Sequence, residues 1–88
     1  MVLKIQRSDE GDVVRLILSG RIELQHVAEL RRLIDEAERG QHPVTLDLKE
    51  VRLVDREAVA FLGRCESSGV GLENCPVYVR ESLSRQRR

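Results

Sequence analysis

Apolar side chains recur along this chain with two periods, and the periods take turns. Val2-Leu3-Lys4-Ile5-Gln6 and the run Val13 to Leu18 alternate apolar and polar positions as strands do. In the second run Val14, Leu16 and Leu18 share one face, and Val13, Arg15 and Ile17 the other. Ser8-Asp9-Glu10-Gly11-Asp12 between them is rich in turn formers, which predicts an antiparallel hairpin. Ser19-Gly20 is expected to end the second strand. Leu24, Val27, Leu30, Ile34 and Ala37, with Leu33 beside them, then recur at three- and four-residue steps. That spacing predicts a helix from about Gln25 to Arg39, with Glu29, Arg31, Arg32, Asp35, Glu36 and Glu38 on its wet face. Gly40 fits the left-handed position that leaves such a helix.

A third strand is expected after Pro43. Val44, Leu46 and Leu48 point one way, and Thr45 and Asp47 the other. Ala58, Phe61, Leu62 and Cys65 fall at i, i+3, i+4 and i+7, the stripe of a second helix from about Arg56 to Ser67 that stops at Gly69. Asp55 precedes that stripe and suits its N-cap, where a carboxylate accepts from free backbone N–H groups. Val70 to Asn74 reads as a short strand. Pro76 fits the first position of a last helix through Leu83.

A hairpin followed by helix, strand, helix and strand predicts an α/β domain: a small mixed β-sheet with helices mainly on one face. The crossovers should be right-handed and their strands parallel. The polar alternate face of the third strand supports one-sided cover. The length suits one domain, assigned to residues 1–83, with 84–88 as a basic, disordered tail.

Charge narrows the partners. Fifteen basic and fifteen acidic residues cancel, so no overall field draws in nucleic acid or a membrane. No apolar run approaches the roughly 20 residues of a membrane span, and the first residues lack a signal-peptide pattern. A cytoplasmic protein is therefore expected, with Cys65 and Cys75 reduced. His26 and His42 share no ligand spacing with either cysteine, so no metal and no cofactor is expected. Gly69-Val70-Gly71 follows a helix and precedes a strand, the reverse of a dinucleotide fingerprint. Asp47 reads as a solvent-facing strand residue near a basic neighbour. No nucleophile–base pairing with a third, orienting group can be assembled, so an enzyme is not expected.

From Val44 to Cys65 the chain resembles the switch region of STAS domains, the family of bacterial anti-sigma-factor antagonists. The strand Leu46-Asp47-Leu48 matches the family's "LDL". Asp55 matches the Asp of its Asp-Ser-Ser-Gly or Asp-Ser-Thr-Gly turn, and Arg56, Glu57 and Ala58 replace the next three residues. Upstream, Leu16-Ile17-Leu18-Ser19-Gly20-Arg21-Ile22 is similar to the family's strand end. The resemblance covers about residues 12 to 73. It implies a non-enzymatic regulatory module that works by protein–protein interaction in bacterial signalling and transcription control. The implied partner is an anti-sigma factor or kinase, or another assembly subunit. The implied surface is Val54, Asp55, Arg56, Glu57 and Ala58 with Gly20 and Arg21. Glu57 stands where the family's second hydroxyl residue takes phosphate.

Two readings of Glu57 stay open. It is a partial mimic of phosphoserine, with one charge against about −1.5 to −2. Or it is an acid in a first helical turn, worth about 0.3–1 kcal/mol against the helix dipole. Arg56 has the simple reading of a solvated arginine, pairing with Glu57 or Glu50. Ala58 adds a methyl where the family's glycine lets a partner approach closely. Family members continue to a further strand and a longer closing helix, so this form has a shortened C-terminus. That shortening and an unpaired sheet edge point to a homodimer. The alternatives are an accessory subunit of a transporter or larger signalling assembly, and an oligomeric structural domain without a regulated partner.

Overall fold

The computed structural model describes residues 3–86. Two antiparallel strands, β1 (Leu3–Glu10) and β2 (Val13–Ile22), open the chain. Then come α1 (Leu24–Arg39), β3 (Val44–Val54), α2 (Arg56–Ser67), β4 (Gly71–Glu73) and α3 (Val77–Gln86). The sheet order is β1-β2-β3-β4, with β2, β3 and β4 parallel. This is the expected α/β arrangement of a mixed sheet with helices on one face.

Val14, Leu16 and Leu18 of β2 and Val44, Leu46 and Leu48 of β3 form the floor of one core. Leu30, Ile34 and Ala37 of α1 cover it, with Ala58, Phe61, Leu62 and Cys65 of α2 and Val79 and Leu83 of α3. The predicted stripe of α2 is buried throughout. Aliphatic side chains fill this core, and Phe61 is its one aromatic ring among the described residues.

Several boundaries differ from the pattern reading. The expected start of β1 at Val2 lies outside the described residues. Ser8, Asp9 and Glu10 continue β1, and only Gly11 and Asp12 turn. Pairs two residues apart along one side of the strand, Arg7 with Asp9 and Ser8 with Glu10, suit extended backbone. Ser19-Gly20 does not end β2. Gly20 takes φ 98° inside the strand, a conformation that favours glycine, and the strand continues to Ile22.

β3 is the largest departure. It runs eleven residues to Val54, six beyond the expected end at Leu48. Its register against β2 slips twice, between Ile17 and Ser19 and between Gly20 and Arg21. Each slip is a bulge that places an extra residue on β3. Burial therefore recurs at Leu48, Val51 and Val54, every third residue instead of every second.

At the end of α1, Gly40 has φ −79° and needs no glycine for its backbone; Gln41 takes the left-handed position instead, at φ 64°. Gly40 is packed closely, since a Cβ there would meet the His42 ring at 3.0 Å. α2 ends as a Schellman motif. Val70 N–H donates to Cys65 O and Gly69 N–H to Glu66 O, with Gly69 at φ 103°. β4 is trimmed to Gly71–Glu73. Pro76 stands one position before α3, where its carbonyl accepts from Val79 and Arg80. Ser84, Arg85 and Gln86, expected in the tail, belong to α3; Arg87 and Arg88 lie outside the described residues.

The open face of the sheet carries a correction for Asp47. It is not solvent-facing but 9% exposed. Its Oδ2 accepts from Arg15 at 2.9 Å, and its Oδ1 from Asn74 Nδ2 and Lys49 N–H, each at 3.0 Å. Arg15 also pairs with Glu73 at 2.6 Å. The expected basic neighbour is present, and the cluster ties β2, β3 and the end of β4 together. Asn74 holds the Asp47 carboxyl below its ordinary value, with Lys49 N–H and Arg15 adding to the effect.

Candidate partner-binding site at the start of α2

Parallel strands β2 and β3 end side by side at Ile22 and Val54, and both following helices start there. Asp55 joins the two starts. Its backbone is extended, at φ −78° and ψ 175°. Its Oδ1 accepts Ala58 N–H at 2.9 Å, the N-cap bond expected from sequence. Its Oδ2 accepts Leu24 N–H of α1, also at 2.9 Å. Its own N–H donates to Ile22 O at 3.1 Å. One residue thus fixes two helix N-termini and two strand ends. At the neighbouring start, Glu23 N–H donates to His26 Nδ1 at 3.0 Å, so that ring nitrogen is the acceptor.

The other expected site residues divide by depth. Arg56 and Glu57 are exposed in the first turn of α2, and among the described residues neither makes an ion pair. The expected contact of Arg56 with Glu57 or Glu50 is not formed. Arg21 is exposed and lies opposite Leu53 in the register. Gly20 lies deeper in β2, opposite Val51. Val54 is 7% exposed and Ala58 is fully buried. These two support the turn from below, and the Ala58 methyl faces the core.

Sequence reasoning missed the apolar part of this end. Among the described residues the exposed large apolar side chains are Leu24 (60%), Leu53 (46%), Val77 (74%) and Tyr78 (42%). Leu24 bonds Asp55 through its N–H, and Leu53 precedes Asp55 by two residues. Tyr78 reaches the same strand end, its hydroxyl donating to Arg52 O at 3.1 Å. Leu24 matched the apolar stripe of α1, yet it sits past the edge of the core. The signal for Leu53 was its place between the buried Val51 and Val54, readable only once the bulges are known.

The sulfurs lie elsewhere. Cys65 is buried, and burial pushes its thiol up to about 11. Burial also raises the Cys75 thiol. Both are free, and no cluster of metal-ligating side chains occurs among the described residues. No helix of the described residues is long and apolar enough to cross a membrane.

A family model described as the Mlab-type STAS domain matches residues 5–86. The chain belongs to the STAS family. No curated protein matches this STAS domain in sequence. Among solved structures it is similar to the anti-sigma factor antagonist SpoIIAA in its unphosphorylated form. The identity is 20% and the TM-score 0.72, over 92% of this chain and 82% of that one. It is also similar to an anti-sigma factor antagonist from Mycobacterium paratuberculosis, at 18% identity and a TM-score of 0.65, covering 80% of this chain. A third likeness is to Mglu, at 25% identity and a TM-score of 0.64, covering 82% of this chain. The matched region spans 63% of the Mycobacterium protein and 19% of Mglu. The STAS fold expected from the LDL strand and the Asp-capped helix is therefore the fold of this chain.

Proposed function

We propose that this STAS domain is a non-enzymatic regulatory module that binds a protein partner at the start of α2, in the manner of an anti-sigma-factor antagonist. One observation carries the reading. The exposed leucines Leu24 and Leu53 flank a helix N-terminus whose charged residues, Arg56 and Glu57, have no partner within the described chain. Apolar side chains beside uncommitted charges are what a docking patch presents. Val77 and Tyr78 extend the apolar surface from α3.

The turn Asp55-Arg56-Glu57-Ala58 contains no hydroxyl group. A kinase therefore has nothing to modify in it, and binding at this end is constitutive or regulated elsewhere. Glu57 holds one fixed negative charge where related switches alternate between a hydroxyl and a phosphate.

The test is affinity capture from the native bacterial cytoplasm with the wild-type chain and with Leu24→Glu/Leu53→Glu. Both side chains are exposed, so the variant should keep the fold. A partner seen with wild type and lost with the variant supports the reading. A partner retained by the variant moves the binding surface elsewhere.

A further inference from the structure

The face of the sheet that no helix covers carries two kinds of charge. In its middle the charges are committed to one another: Arg15 pairs with both Asp47 and Glu73. Toward the strand ends at Ile22 and Val54 they are not. There the register sets Lys4 beside Ser19, Ser19 beside Glu50, and Arg21 beside Leu53. These positions alternate with the core-facing Leu18 and Ile22, so they share the open face. The two bulges bring Lys49 and Arg52 to the same end, and both are exposed.

Among the described residues the side chains of Lys4, Arg21, Lys49 and Arg52 make no ion pair and no hydrogen bond. Four exposed cations therefore stand with one exposed carboxylate, Glu50, around Leu53, which is 46% exposed. The excess survives a wider count. Arg56, Glu23 and Glu57 lie at this end on the helix side, and adding them gives five cations to three carboxylates. The carboxylate of Asp55 is already spent on Leu24 N–H and Ala58 N–H at the two helix starts. The chain as a whole is neutral, so this basic lean is local.

We propose that this end of the open face takes an acidic segment of the protein partner, with an apolar side chain against Leu53 and carboxylates shared among Lys4, Arg21 and Arg52. The inference rests on the partner reading above, because Leu53 belongs to both surfaces. The division of labour follows from magnitudes. An exposed ion pair gains little, so the cations select and steer the acidic segment while Leu53 supplies the buried area. Nucleic acid suits this end less. None of the four strands contains an aromatic residue on which a base could stack. A neutral chain also lacks the wider field that holds a polyanion.

The test is amide chemical-shift titration of the full chain with a short polyglutamate peptide carrying a central leucine. The same peptide with lysine for glutamate, and a short single-stranded DNA, are the controls. Saturable shifts at Lys4, Ser19, Arg21, Arg52 and Leu53 are expected, weakening as salt is raised. Arg21→Glu/Arg52→Glu should weaken binding by about tenfold, and Glu50→Gln should strengthen it by about twofold. All three side chains are exposed, and unchanged amide shifts elsewhere will show that the variants fold. No saturable shift, an equal response to the lysine peptide, DNA bound as tightly as the acidic peptide, or an unchanged affinity in Arg21→Glu/Arg52→Glu overturns the proposal. Affinity capture separates its failure from that of the partner reading. A partner lost with Leu24→Glu/Leu53→Glu but kept with Arg21→Glu/Arg52→Glu overturns the acidic segment alone. A partner kept with Leu24→Glu/Leu53→Glu overturns both.

Discussion

Asp55 and Leu24, thirty-one residues apart, share a hydrogen bond of 2.9 Å from the Leu24 N–H to the Asp55 carboxylate. The second oxygen of the same carboxylate caps α2 through Ala58. Asp55→Ala should therefore lose more than a single cap. A lost N-cap costs about 0.5–2 kcal/mol and a further hydrogen bond about 1. Urea unfolding should show a loss of about 2 kcal/mol, with Asp55→Asn less affected because its amide oxygen still accepts. A loss below about 0.5 kcal/mol, the floor for a cap alone, would show that neither bond matters.

Glu57→Ser restores a hydroxyl at the second position after Asp55. The variant should take one phosphate from a STAS-type serine kinase with ATP, read by intact mass, while the wild-type chain stays unmodified. Losing the first-turn acid should also cost about 0.3–1 kcal/mol of stability. A phosphate mapped to Ser19, Ser67 or Ser68 of the wild type would mean that regulation has moved to another hydroxyl.

The Asp47 cluster sets an acid limit. Its carboxyl has a lower pKa folded than unfolded. Its contribution is therefore complete above the unfolded value, near 3.8, and fades as pH falls through the folded value. Asp47→Asn weakens the bond from Arg15 and should cost about 1–3 kcal/mol at neutral pH. The gap between wild type and variant should close as pH drops below about 4. A gap independent of pH would assign the effect to packing alone.

β4 pairs with Thr45, Leu46 and Asp47, and among the described residues no strand lies on the outer side of β3 beyond them. Tyr78 occupies one carbonyl of that side, Arg52 O. With Val77 exposed beside it, this edge is the expected contact of a homodimer. Sedimentation at micromolar concentration should show concentration-dependent association that Val77→Asp abolishes. A monomer at every concentration counts against it.

Much of this arrangement was legible in the linear pattern. The bounds of α2, its buried stripe and its Asp cap follow from local spacing, because a helix repeats its own geometry within a few residues. The same logic failed in β3, where a period of two ended the strand at Leu48. Lys49 to Leu53 look like a loop when read alone, and the partner strand that makes them a bulged strand is distant in sequence. The bond from Leu24 to Asp55 and the burial of Asp47 have the same character. Each joins elements that no local window contains. Gly40 shows the opposite error: the glycine expected in the left-handed turn has a negative φ, and its neighbour Gln41 takes that conformation instead.

The two bulges make the span between Asp47 and Asp55 a matter of odd and even. From Ile17 to Ile22, β2 advances five residues, while β3 advances seven from Asp47 to Val54. The difference of two keeps Val54 facing inward beside Ile22, because each added residue turns the following side chains over. Removing Lys49 alone would swing Val54 to the outside and aim Asp55 away from both helix starts. Removing Lys49 and Arg52 together would restore the inward and outward order. A shorter chain with two residues missing should therefore outlast one with a single residue missing.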